Sequence, residues 1–164
     1  MNDSSISRAK DNPGVVAHPP IIYLAALGLG LLLDRAVPWQ ASLGWLGQPL
    51  RHAVGGACLL AGLAVVATAF RQFTRAGTNL PTHRPATALV VDGLYRWSRN
   101  PIYVALTLAY LGLALVLASP WTVALLPAVL AVMRYGVVGR EERYLEAKFG
   151  DAYRAYKASV RRWI

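Results

Sequence analysis

A chain of 164 residues that is 55% hydrophobic, only 15% charged and of mean hydropathy +0.38 has the composition of a one-domain integral membrane protein. Its formal charge of +9 lies between and after apolar runs rather than as a stripe over a soluble fold, which excludes a nucleic-acid-binding module. The charge instead marks topology and contact with anionic lipid.

The single cysteine, Cys58, sits in an apolar run and has no partner for a disulfide within the chain. His18, His52 and His83 are scattered without ligand spacing, so no metal is expected. Arginine outnumbers lysine 14 to 3, a bias of GC-rich bacterial genomes that points to a bacterial inner membrane.

Residues 1–20 are polar, balanced in charge and broken by Pro13, Pro19 and Pro20. They read as a flexible tail rather than a cleavable signal peptide. Residues 21–164 then form one membrane-embedded domain. Its first apolar run, 21–37, carries Asp34 and Arg35 near its end, close enough to the interface to pair or snorkel. A short loop to Pro49 follows, with Trp39 and Trp45 as aromatic anchors. The second run, 53–70, holds Gly55, Gly56 and Gly62, small enough to admit a neighbouring helix.

Residues 71–100 are the longest polar segment. Pro81 and Pro85 forbid a long helix there, and connections of this length are often functional. The third run, 102–118, the turn Ser119-Pro120 and the fourth run, 121–138, complete an all-α fold of about four transmembrane helices. The 71–100 segment carries +4 and the tail from 139 onward +3, while the turn between carries none. Both basic segments, and both termini, are therefore expected on the cytoplasmic side.

Beyond the membrane, 139–149 continues as helix. Gly150 is a left-handed stop, and Asp151 is a cap for a last amphipathic helix. On it Tyr153, Tyr156, Val160 and Trp163 share a face at three- and four-residue steps. Such a helix either lies on the membrane surface or packs on the rest of the domain.

The stretch Gly93-Leu94-Tyr95-Arg96-Trp97-Ser98-Arg99-Asn100-Pro101-Ile102-Tyr103 is a polar, aromatic knot at the mouth of the third run. It suits a site at the membrane surface, or a basic anchor with Tyr95 and Trp97 at headgroup depth. In an antiparallel hairpin turning at 119–120, Pro101 faces about residue 138, and Glu141 and Glu142 come to lie beside the knot. Arg134, seven residues before Glu141, would share its face. Alone, the two glutamates read as a solvated face paired with arginines. Meeting a second polar cluster at membrane depth, they read as functional.

That knot, followed by Glu141-Glu142, Leu145, Phe149-Gly150, Tyr153 and Tyr156, resembles the isoprenylcysteine carboxyl methyltransferase and phospholipid methyltransferase superfamily. The resemblance covers about residues 76–163. It implies a polytopic enzyme with a cytoplasmic-face site, moving a methyl group from S-adenosylmethionine to a lipophilic acceptor or membrane lipid. It places the cofactor contacts on Leu89, Val90, Tyr95, Arg99, Asn100, Pro101, Tyr103 and Glu141, with Glu142 and Arg134 as catalytic candidates. Two positions depart from the pattern. Asn100 stands where the motif has histidine, and Val137 stands where the isoprenylcysteine enzymes hold the substrate carboxylate with an arginine. Other readings of the same helices are a scaffold or small transporter, though no internal repeat is visible, or a membrane reductase using a nicotinamide cofactor, though no dinucleotide glycine fingerprint is present.

Overall fold

The computed structural model describes residues 13–39, 43–78 and 85–164, and among these all regular structure is helical. Four apolar helices form the body: α1 (Pro19–Ala36), α2 (Gln48–Arg75), α3 (Pro101–Val116) and α4 (Pro120–Val132). Each begins with proline in its first turn, where the missing N–H has no partner to lose. A π-helical turn, Met133–Val138, joins α4 to α5 (Gly139–Phe149), and α6 (Asp151–Ser159) follows.

Three stretches are long and apolar enough to cross a membrane: α1, α2, and the continuous run Pro120–Phe149. α3 is apolar but shorter, at 16 residues. That is about 24 Å of helix, a little under the thickness of a hydrocarbon core.

The helices pair α2 with α3 and α1 with α4. Gly55 and Gly112 set the first contact, because a Cβ at either would stand 2.7 Å from the other's carbonyl oxygen. Gly62 approaches the Ala105 carbonyl in the same way, whereas Gly56 faces open space and takes no part. Ser119 caps α4 by accepting from Thr122 N–H at 3.1 Å, and Asp34 accepts from Trp121 N–H at 3.4 Å. Trp39 stacks on Trp121 with ring centroids 4.8 Å apart, while Trp45 is exposed.

Several expectations need correction. α2 overruns 53–70 at both ends, so Arg71 and Arg75 belong to a helix and not to the polar connection. It stops at Gly77, which has φ +62°, and no proline interrupts it before then. Residues 13–20 are not a free tail. Val16 N–H donates to Gly136 O at 3.2 Å, Arg140 Nη1 donates to Gly14 O at 2.7 Å, and Pro19 and Pro20 open α1. The rest of that expected tail, 1–12, lies outside the described residues, as do Pro81, His83 and Arg84.

Asp151 does not cap α6. It is the first helical residue, after Gly150 at φ +54°, and its carboxylate takes Arg154 Nη2 at 2.6 Å. Val160 and Trp163 lie past the end of α6, where the chain turns extended. Tyr153 and Tyr156 are buried against Phe73 and Tyr95, so α6 packs on the domain rather than lying free on a surface.

Candidate active site

The knot forms because glycine permits its first turn. Gly93 adopts φ +60°, and a Cβ there would collide with the side-chain amide of Gln72. A short 3-10 turn, Gly93–Arg96, then drops Tyr95 into the core. Phe73 of α2 meets its ring edge-on at 5.5 Å, and Tyr156 Oη donates to its carbonyl at 2.7 Å. Trp97, two residues on, stays exposed.

The segment before the knot is tied across the same end of the bundle. Thr78 Oγ1 accepts from Thr87 N–H at 2.9 Å and Ala88 N–H at 3.1 Å, and Tyr144 Oη accepts from Ala86 N–H at 3.2 Å. These bonds hold Leu89 and Val90 over a cavity of about 580 Å³. That is the size of a small-molecule or cofactor pocket.

Its polar lining is Tyr95, Arg99, Asn100, Tyr103, Glu141 and Glu142, with Tyr153 and Tyr156. Its apolar lining includes Pro19, Pro20, Val66, Phe70 and Leu106. Of the sequence-expected contacts only Pro101 and Arg134 fall outside this lining. Pro101 is buried as the first residue of α3 and sets the start of that helix.

The two glutamates meet different partners. Tyr103 Oη donates to Glu141 Oε1 at 2.6 Å. Glu142 is clasped by two guanidinium groups: Arg162 donates from Nε at 2.9 Å and Nη2 at 2.7 Å, and Arg99 Nη2 lies 3.2 Å away. The fork from Arg162 is bidentate, the strong geometry for a carboxylate. The Glu142 side chain is only 8% exposed and that of Arg99 only 9%. Arg99 still has Nε and Nη1 buried with no hydrogen-bond partner among the described residues. Two charged-group donors buried without acceptors are costly, and a bound anion would satisfy them.

Asn100 is committed to the C-terminal segment. Its Nδ2 donates to Arg162 O at 2.9 Å, and Arg99 N–H donates to Arg161 O at 3.0 Å. Residues 160–164 thus strap the knot to Glu142. No sequence signal marked Arg162 for this role, since it stands twenty positions from its partner in a plain basic tail.

Burial raises the hydroxyl pKa of Tyr95 and Tyr156, and raises that of Tyr153 to about 12, where the charge of Glu142 adds to the effect. All three rings are neutral walls at physiological pH. The hydrogen bonds to Glu142 raise the Arg162 pKa further, so its charge is permanent.

Arg134 departs from its expected place. The π turn adds a residue to the turn between it and Glu141, so the seven-residue spacing no longer keeps one face. Glu141 is buried in the main cavity, while Arg134 is exposed and opens onto a separate hollow. Val137 is fully buried in the apolar core with Tyr23, Tyr110 and Met133, so that position offers no charge to any ligand.

An apolar helical bundle with helices long enough to cross a membrane, and a cavity lined by both buried charged residues and apolar side chains, defines the class as an integral membrane protein with a mixed polar and apolar pocket. The chain belongs to the phospholipid methyltransferase family, whose pattern matches residues 50–152, within the isoprenylcysteine carboxyl methyltransferase superfamily. The match begins at α2, earlier than the motif-bearing half visible in the sequence, and ends in α6. An uncharacterized protein of Haemophilus influenzae is 67% identical over 27 residues, covering 16% of this chain and 43% of that protein. The match therefore spans less than half the length of that relative. No solved structure matches the chain.

Proposed function

We propose that the chain transfers the methyl group of S-adenosylmethionine to a lipophilic acceptor that reaches the cavity through the bilayer. One observation carries this reading: Arg99, with two buried guanidinium nitrogens unpartnered among the described residues, and the carboxylate of Glu141 line the same cavity. That donor and acceptor pair matches the amino-acid end of the cofactor, which is a carboxylate beside an ammonium.

The remaining cofactor contacts follow. Arg99 donates to the cofactor carboxylate, and Glu141, oriented by Tyr103, accepts from its ammonium or ribose hydroxyls. Tyr95, Tyr153 and Tyr156 form a neutral aromatic wall suited to adenine. Leu89 and Val90 supply backbone groups above it. Asn100 and Pro101 act by positioning, Asn100 through the strap and Pro101 through the start of α3. When bound, S-adenosylmethionine supplies a sulfonium-activated methyl group, so the protein's task is alignment and exclusion of water.

Glu142 is better suited to holding Arg99 in place than to taking a proton, because three donor contacts occupy its oxygens. The apolar lining, Phe70 and Leu106 among it, takes the acceptor's hydrocarbon. With Arg99 engaged by the cofactor, an acceptor carboxylate has no arginine of its own in the described lining. An unpaired carboxylate in a dry pocket costs several kcal/mol, enough to suppress turnover by orders of magnitude. We therefore assign a membrane lipid or neutral lipophilic molecule as acceptor, in a bacterial inner membrane with both termini cytoplasmic.

The test gives purified protein labelled S-adenosylmethionine together with either total lipid extract or a farnesylcysteine analogue. Label should enter the lipid fraction. Robust methylation of the farnesylcysteine analogue with none of the lipid would overturn the acceptor class.

A further inference from the structure

Behind Glu142, away from the main cavity, lies a second hollow of about 390 Å³. Arg134, Tyr135, Gly139, Arg143, Lys157 and Arg162 line it with Glu142. Four separate elements bring these cations together. The π turn carries Arg134 out of the main cavity, α5 carries Arg143, α6 carries Lys157, and the C-terminal strap carries Arg162.

Their charges are unevenly matched. Lys157 pairs with Glu146 at 3.0 Å and Arg162 with Glu142 at 2.7 Å. Arg134 and Arg143 have no carboxylate partner among the described residues. The Arg134 guanidinium sits 5.6 Å from the centroid of the exposed Tyr135 ring. Arg143 leans over Gly139, where a Cβ would stand 3.8 Å from its Nη1. Like charges gathered in one hollow repel, and an anion between them turns that repulsion into attraction.

The chemistry of the anion follows from the fork and the depth. Planar guanidinium groups match phosphate oxygens. Arg134 and Tyr135 stand just past the end of α4, where the uncharged helix gives way to the charged α5, and an exposed aromatic beside a cation there suits the headgroup layer. Basic pockets at that depth meet lipid phosphates.

We propose that this hollow is a binding site for a phosphate group, carried by an anionic lipid headgroup or free in solution. It shares only Glu142 with the main cavity, and binding there does not depend on methyl transfer.

The full chain, purified in neutral detergent, is titrated with short-chain phosphatidylglycerol, short-chain phosphatidylcholine or inorganic phosphate while Tm is followed. Phosphatidylglycerol should raise Tm saturably, and phosphatidylcholine, whose phosphate brings a choline cation among the arginines, should not. In R134Q/R143Q the half-saturating concentration should rise about thirtyfold, from the loss of two basic groups near a phosphate. R71Q/R75Q, at the exposed end of α2, removes the same charge elsewhere and should titrate as wild type. If the double variant does not fold, R134Q alone, at an exposed position, carries the comparison. A saturating response to inorganic phosphate that abolishes the lipid response assigns the site to a soluble anion, and a response to lipid alone assigns it to a headgroup. Equal responses to both lipids, or equal weakening in the two double variants, would overturn the proposal.

Discussion

Glu141 and Glu142 are neighbours in sequence and take opposite parts. Glu141 lines the cavity and accepts from the Tyr103 hydroxyl, while Glu142 is clasped by two arginines. A buried carboxylate between two guanidinium groups cannot be neutralised without leaving a buried cation unpaired. Glu142→Gln should therefore lower the unfolding free energy by about 3 kcal/mol. Glu146→Gln, which loses only a partly exposed pair with Lys157, should cost about 1 kcal/mol or less. Denaturant unfolding of the two variants in detergent checks this, and equal stabilities would mean that the clasp does not hold the strap. The motif made the glutamate pair legible, along with Tyr95, Tyr103, Tyr153 and Tyr156. The clasp was hidden because one long flexible side chain, Arg162, supplies it from a tail whose other arginine and lysine neighbours look the same.

At the scale of elements, the apolar helices were readable because length, hydropathy and a proline at each start agree. The far end of α2 was not, since Arg71 and Arg75 are good helix formers whose charge reads as loop. The π turn left no mark either. Met133–Val138 carries Arg134 but no residue that marks a change of helix type, and a π turn differs from an α turn by one residue, not by composition. That one residue decides which way Glu141 points. Deleting Gly136 should turn the π turn into an α turn that covers the same rotation with one residue fewer, so Glu141 keeps its face towards Tyr103. The expected result is a protein that still inserts, still gives a helical circular dichroism spectrum and still binds the cofactor. Lost binding would show that the extra residue does more than set the face of Glu141.

For the whole molecule, alternating charge and apolar runs predicted which ends of the helices gather. The start of α1, the end of α2, the start of α3 and α5 all line one cavity. This arrangement requires Gly77 and Ile164 on one side of the membrane and Ser119 on the other. Reporter fusions at the three positions check it. Opposite readings at Gly77 and Ile164 would contradict a bundle whose C-terminal strap bonds to the knot. What charge and hydropathy could not convey is the pairing α2 with α3 and α1 with α4, which depends on where single glycines face. Gly55 and Gly112 touch, and Gly56, one step round the helix, meets nothing.

The central claim is that Arg99 and Glu141 together hold the amino-acid end of S-adenosylmethionine. Calorimetric titration of the purified chain with S-adenosylhomocysteine tests it most directly, with NADPH as the competing ligand and Arg99→Gln, Glu141→Gln and Glu146→Gln as variants. The wild type and Glu146→Gln should bind S-adenosylhomocysteine alike and NADPH not at all, and Arg99→Gln and Glu141→Gln should each lose roughly 1.5–3 kcal/mol. Binding of NADPH in place of S-adenosylhomocysteine, or undiminished S-adenosylhomocysteine affinity in both site variants, would contradict the account.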